Sequence, residues 1–203
     1  ALDSVSFNIC EGEICGLVGE NGTGKTTLIR ILTGLIRQTS GKIMRDQHVK
    51  VSCIVESPAL YLNLTGFENL NYALKSSGIK GGKQRIKEIL NLVGLTHVDK
   101  RKKAKDYSLG MRQRLAIGLA IIDTPDLLIL DEPINGLDPV GIKELREVLL
   151  TLKNKMGITI MVSSHILSEL DLVVDRYVIM HKGKVIKDIN KEDLKQELRT
   201  DIV

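Results

Sequence analysis

Gly19-Glu20-Asn21-Gly22-Thr23-Gly24-Lys25-Thr26-Thr27 follows the apolar run Ile14-Cys15-Gly16-Leu17-Val18 and precedes Leu28, Ile31, Leu32 and Leu35, which recur at helical spacing. The stretch reads as strand, glycine loop, helix. In that context Gly-x-x-x-x-Gly-Lys-Thr is the pattern of a phosphate-binding loop. Glycines let the backbone curl so that successive N–H groups face phosphate oxygens, and the helix start adds a positive dipole end. Gly19, Asn21, Gly22, Thr23, Gly24, Lys25, Thr26 and Thr27 are therefore candidate polyphosphate ligands. Lys25 is expected to reach the β- and γ-phosphates of ATP, and the Thr26 hydroxyl to ligate Mg²⁺.

Downstream, Leu127-Leu128-Ile129-Leu130 is an apolar strand that ends in Asp131-Glu132, placing two acids where a buried sheet would meet the nucleotide. Asp131 is expected to hold the magnesium and Glu132 to polarise the attacking water, a general-base role worth about 10²–10⁴ in rate. Other strands are expected at Val49–Val55 and Ile158–Val162, and a hairpin where Tyr177–Met180 and Lys184–Ile186 flank Lys182-Gly183. Val5, Phe7 and Ile9 alternate as in a further strand at the start. Thr65-Gly66-Phe67-Glu68 reads as a capping box opening a helix, and Ile86, Ile89, Leu90 and Val93 share a helix face that Gly94 terminates. Leu145, Val148, Leu149 and Leu152 mark another helix.

Strands that alternate with helices and are apolar on both faces imply an α/β fold with a mostly parallel sheet covered on both sides. A small antiparallel part is expected at the N-terminus. The expectation is one domain over 1–203, with a core from 1–56 and 107–203 and a helical subdomain over 57–106.

Composition narrows the function classes. The chain has 203 residues, 43% apolar and 27% charged, which suits one domain with a real core. No segment approaches the roughly 18 apolar residues of a membrane-spanning helix. A net charge of +4, six aromatic residues (Tyr 4, Phe 2) and no Trp leave little for nucleic acid to stack on, so none is expected as a partner. Cys10, Cys15 and Cys53 are odd in number and lack metal-ligand spacing; they read as reduced, core or near-core thiols of a cytosolic protein. The basic run Lys100-Arg101-Lys102-Lys103 reads as a solvated loop. The start has neither the basic region nor the apolar stretch of a signal peptide.

Three further stretches select a family. Tyr107-Ser108-Leu109-Gly110-Met111-Arg112-Gln113-Arg114 opens an apolar helix before the acids, Asn135-Gly136-Leu137-Asp138 follows them, and Ser163-Ser164-His165 ends the next strand. In this order they resemble the signature motif, D-loop and switch histidine of ABC-type ATPases. The resemblance implies a P-loop NTPase fold of the ABC type and a head-to-tail homodimer, in which ATP on one P-loop is closed by the partner's signature helix. Ser108 and the Gly110 N–H at a helix N-terminus would form the second anion site. By the same resemblance His165 would bond the γ-phosphate and Asp138 would act across the dimer.

Departures from the family pattern are informative. Leu109 and Met111 stand where the common signature has Gly and Gln, so contacts of that Gln side chain cannot form. The Gln that usually follows the second strand, touching magnesium and water, is Glu56 here. A carboxylate about 4 Å from a unit charge interacts by roughly 1–4 kcal/mol at effective dielectric 80 to 20, so Glu56 helps only if the metal is its nearer charge. Glu56 and the Ser-Leu-Gly-Met signature look like the ATPase subunits of bacitracin-resistance and lantibiotic-immunity exporters.

The resemblance thus implies an ATP- and Mg²⁺-dependent ATPase at the cytoplasmic face of the membrane, driving a separate permease that exports a peptide antibiotic. The family's adenine-stacking aromatic would lie upstream of Ala1, in a segment absent from this sequence, and a C-terminal extension beyond Val203 is also expected. The alternatives are a DNA-associated ATPase of the same superfamily and a non-hydrolysing module that uses ATP as dimer glue. The span from Lys25 to Asp131 is too short for the long coiled coils of the first. Intact Lys25, Asp131, Glu132 and His165 disfavour the second.

Overall fold

The computed structural model describes residues 2–56, 59–79 and 82–200, the last three by backbone alone. β1 (Ile14–Val18) runs into the glycine loop and α1 (Lys25–Leu32); β2 (Val51–Ile54) follows after an exposed connection. Next come α2 (Gly66–Ser76), α3 (Gly82–Leu92), a single 3-10 turn at Ala104–Asp106, and α4 (Leu109–Ala120). β3 (Leu127–Leu130), α5 (Pro139–Met156), β4 (Thr159–Ser164) and the short α6 (Leu167–Leu170) complete the central part. The hairpin β5 (Arg176–His181) and β6 (Lys184–Asn190) precedes α7 (Lys191–Thr200).

The six strands form one sheet in the order β2-β3-β4-β1-β5-β6, parallel throughout except for β6 on β5. Period-two packing explains why its strands read as continuous apolar runs. Ile14 and Val18 of β1, Leu128 and Leu130 of β3, and Ile160 and Val162 of β4 join the core beneath α4 and α5. Cys15 and Leu17, Ile129, and Met161 face the other way, against Leu28 and Ile29 of α1. Each such buried aliphatic side chain contributes about 1.5–3 kcal/mol relative to exposure.

The expected small antiparallel part lies elsewhere than predicted. Val5, Phe7 and Ile9 are half-buried in alternation and pack on the α1 side of the sheet, but among the described residues this segment joins no ladder. The antiparallel pairing is instead the C-terminal hairpin, turned by Lys182 (φ 45°) and Gly183 (φ 81°). Alternate burial needs only an apolar surface underneath, whereas a ladder also needs a free strand edge at about 4.8 Å. The first strand-like segment lies on the face of the sheet and adds no strand to it.

Between residues 59 and 106 the regular elements described are helices; residues 57, 58, 80 and 81 of the span read as a helical subdomain lie outside the described residues. Thr65 accepts from Glu68 N at 3.1 Å, and Glu68 accepts from Thr65 N at 2.7 Å, completing the capping box of α2. Buried Asn69 fixes the preceding turn, accepting from Tyr61 N and donating to the carbonyls of Tyr61 and Thr65. α3 ends before Gly94, which takes φ 65° as the stop signal requires. Buried Arg114 on α4 ties this unit to the core: it donates to the Val93 and Gly94 carbonyls and pairs with Glu144 of α5 at 2.9 Å.

The thiols divide differently from expectation. Cys15 is buried and Cys53 half-buried, but Cys10 is exposed, because alternation beside half-buried Ile9 turns it to solvent. Burial pushes the Cys15 thiol up to about 12.

Candidate nucleotide-binding site

Sheet order brings the chemistry together. β1, β4 and β3 are neighbours, so the glycine loop after Val18, the Ser163-Ser164-His165 end of β4 and the acids after Leu130 emerge side by side at the carboxyl edge. Gly19 N donates to Ser164 O at 3.3 Å, locking the loop to β4. A Cβ on Gly19 would lie 2.5 Å from the Met180 carbonyl, so no larger residue fits there. Gly24, with φ 104°, starts α1 without any side-chain cap, leaving that helix start to an external anion.

Lys25 is buried, with its ammonium on the loop itself: it donates to Gly19 O at 2.6 Å and Glu20 O at 3.2 Å. It also pairs with Glu132 Oε1 at 3.2 Å. Thr23 donates to Glu20 O, closing the loop. Thr26 donates its hydroxyl to Asp131 Oδ2 at 2.8 Å, and Ser163 donates to Asp131 Oδ1 at 2.6 Å. The same Ser163 oxygen accepts from Glu132 N at 2.8 Å, so one hydroxyl fixes both acids. Glu132 adopts φ 47°, a left-handed conformation costly for a non-glycine residue. Its Oε2 lies 2.8 Å from His165 Nδ1, while its buried Oε1 faces the Lys25 ammonium at 3.2 Å.

A second group of predicted residues assembles where α4 and α5 begin. Ser108 caps α4, accepting from Met111 N at 3.2 Å, and is exposed. Asp138 caps α5 through Gly141 N at 2.8 Å and is exposed too. Gly110 is buried against Gly141: an added Cβ would stand 3.4 Å from the Gly141 Cα, so the two helix starts touch glycine to glycine. The polar contacts of Ser108 and Asp138 stay within their own helices, whereas Lys25, Thr26, Asp131, Glu132 and His165 form one connected cluster. Asn21 and Gly22 lie exposed on the glycine loop, and Thr27 is half-buried on α1.

Glu56 belongs to neither group. It has φ 65° and pairs with Arg30 of α1, the Glu56 side chain being largely and the Arg30 side chain partly exposed. Sequence reading missed Arg30, and it quoted Ser163 without giving it a role. Ser163 had a signal: a hydroxyl on an apolar strand with both faces covered needs a partner.

The oxygen donors suit a small hard cation. Thr26 and Asp131 already stand within hydrogen-bond reach of each other, and Glu132 follows Asp131 with one carboxylate oxygen on the Lys25 ammonium. No three His, Cys, Asp or Glu side chains among the described residues form a metal cage. Mg²⁺ beside phosphates needs only one or two carboxylates.

A family model described as ABC transporter matches residues 2–135. The bacitracin transport ATP-binding protein BcrA of Bacillus licheniformis is 45% identical over 209 residues, covering 98% of this chain and 68% of that protein. The lantibiotic transport ATP-binding protein SrtF of Streptococcus pyogenes is 45% identical over 192 residues, covering 91% and 82%. Among solved structures, cbiO1 from Clostridium perfringens, part of the ABC transporter complex cbiONQ, superposes with TM-score 0.84 at 27% identity, covering 98% of this chain and 86% of that one. MJ1267, an ATP-binding cassette of an ABC transporter, gives 0.84 at 26% identity over 98% and 88%.

Proposed function

The chain belongs to the ATP-binding proteins of ABC transporters, and from that premise we propose that two copies close head to tail around two MgATP to drive export of a peptide antibiotic. ATP hydrolysis coupled to transport is the activity of the family, and a membrane permease is its partner. No described helix is long and apolar enough to cross a membrane; as an ATP-binding subunit, the chain would sit against the permease at the cytoplasmic face. The bacitracin and lantibiotic relatives support the cargo class.

One observation carries the dimer: Ser108, with the α4 start behind it, is exposed and makes its polar contact within α4, away from the Lys25–Asp131–Glu132 cluster. A helix N-terminus with a hydroxyl cap offers N–H donors to an anion. An ATP held on one glycine loop would be closed by this surface of a second copy.

Within one site, Lys25 leaves the loop carbonyls and Glu132 for the β- and γ-phosphates. Glu132 is then free to take a proton from water, its backbone fixed by Ser163 and its carboxylate steered by His165. Thr26 and Asp131 would hold Mg²⁺, which, when bound, neutralises phosphate charge. Loss of the γ-phosphate removes the bridge between copies, and the change passes to the permease through Glu56 and the helical subdomain.

Two measurements test this reading. Phosphate release by Glu132→Gln should fall by about 10²–10⁴. Cells expressing the chain with its permease should grow in bacitracin or a lantibiotic at concentrations that stop cells carrying Glu132→Gln. Undiminished turnover in the variant contradicts the catalytic assignment, and equal sensitivity of the two strains contradicts the cargo.

A further inference from the structure

We infer that Arg30 is a positioning residue for the metal side of the site, holding the Glu56 carboxylate one helical turn away from Thr26 and Asp131 until nucleotide and cation arrive. The inference rests on the proposed reading of Glu56 as a metal-side carboxylate and adds the element that withholds it.

The backbone sets up the choice. β2 pairs with β3 in register, Ile54 opposite Leu130, and Asp131 N donates to Ile54 O at 2.9 Å. The two chains therefore leave the sheet together, and Glu56 is to Ile54 what Glu132 is to Leu130. By path alone its carboxylate would approach those of Asp131 and Glu132, and like charges repel. The side chain instead goes to α1. Glu56 takes φ 65°, and its Oε1 meets the Arg30 guanidinium.

Arg30 lies four residues after Thr26 on α1, so both side chains share one face of that helix, about 6 Å apart along its axis at 1.5 Å per residue. The two destinations of the Glu56 carboxylate are neighbouring rungs of the same helix. Movement between them needs no rearrangement of the sheet.

The pair is built to be released. With side chains 41% and 64% exposed, Arg30 and Glu56 form an ion pair of the class that gives only a small bias. Without a cation, Arg30 is the nearest compensating charge for Glu56. With a divalent cation at Thr26 and Asp131, the balance reverses, and Glu56 exchanges a monovalent partner for a divalent one. A glutamine in place of Glu56 carries no charge and could not form the ion pair with Arg30, so the latch is a property of the Glu-bearing pattern.

The test uses the full chain, a non-hydrolysable ATP analogue and Mn²⁺ as the probe cation. Calorimetric titration gives analogue affinity with Mn²⁺ and with EDTA, and the ratio measures the gain due to metal, independently of turnover. Arg30→Met should raise that ratio about two- to fivefold, and Arg30→Lys should stay near the parent. In the Glu56→Gln background, Arg30→Met should leave the ratio unchanged.

An unchanged ratio in Arg30→Met overturns the latch. An equal rise in both backgrounds also overturns it, because the effect is then direct repulsion of metal by Arg30. Glu56→Ala by itself reads the underlying assignment, because it removes the oxygen donors that a glutamine would keep. If it lowers the ratio while Arg30→Met does nothing, only the latch fails; if it changes nothing, Glu56 does not face metal and both fall. Both positions are at least partly solvent-exposed, and thermal melting of each variant checks that the fold is intact.

Discussion

Ser163 is where residue-scale chemistry is most concentrated. Its hydroxyl donates to Asp131 and accepts from Glu132 N, so a single oxygen holds both acids. Ser163→Ala strips one partner from each of two polar groups, and we expect a stability loss of about 1–3 kcal/mol by denaturant titration. It should also lower kcat more than it raises KM, because Lys25 and Thr26 remain to bind nucleotide while Glu132 loses its orientation. Thiol chemistry gives a second prediction. Burial holds Cys15 at about 12, above the ordinary thiol value, so about one in ten thousand is ionised at pH 8. A maleimide or disulfide reagent at pH 8 should label exposed Cys10 promptly and Cys15 only in denaturant; prompt labelling of Cys15 contradicts the packing of β1. Lys25, Asp131 and Glu132 were legible because each sits at a strand or helix end that periodicity locates. Arg30 was not, since its pairing with Glu56 is an exposed contact between segments 26 residues apart with no shared period.

At the scale of elements, local rules and sheet context separate cleanly. The capping box at Thr65 was readable from four consecutive residues because both of its hydrogen bonds close within them. Thr65→Ala should therefore cost about 1 kcal/mol in a melt, with α2 loosening first in hydrogen exchange. β3 was readable to the residue, since an apolar run ending at Asp131 leaves no other boundary. Leu128 is wholly buried under α4 and α5, and Leu128→Ala should cost about 2–5 kcal/mol. Val5 to Ile9 shows the limit. Its period of two records burial faithfully but does not say whether a neighbouring strand edge is free, which depends on the rest of the sheet. β4 likewise begins one residue later than its apolar run, because Ile158 N still closes the end of α5 on Leu152 O.

For the whole molecule, the family resemblance implied a site in two halves, and in the fold the two groups of residues make separate sets of polar contacts. Lys25, Thr26, Asp131, Glu132 and His165 are joined by contacts at the carboxyl edge of the sheet. Ser108 and Asp138 cap adjacent helices that meet at Gly110 and Gly141. No local pattern contains that separation; it comes from sheet order and from the packing of α4 on α5. If two copies enclose the nucleotide, slowing hydrolysis must trap them together, and crowding the α4 start must release them. The decisive measurement is the light-scattering mass of Glu132→Gln with saturating MgATP, with EDTA, and with Ser108→Arg added. Closure around MgATP by two copies gives twice the single-chain mass only with MgATP, and single-chain mass again when Ser108→Arg is present. A Glu132→Gln protein that binds MgATP yet keeps the mass of one chain, or a dimer indifferent to Ser108→Arg, would contradict it.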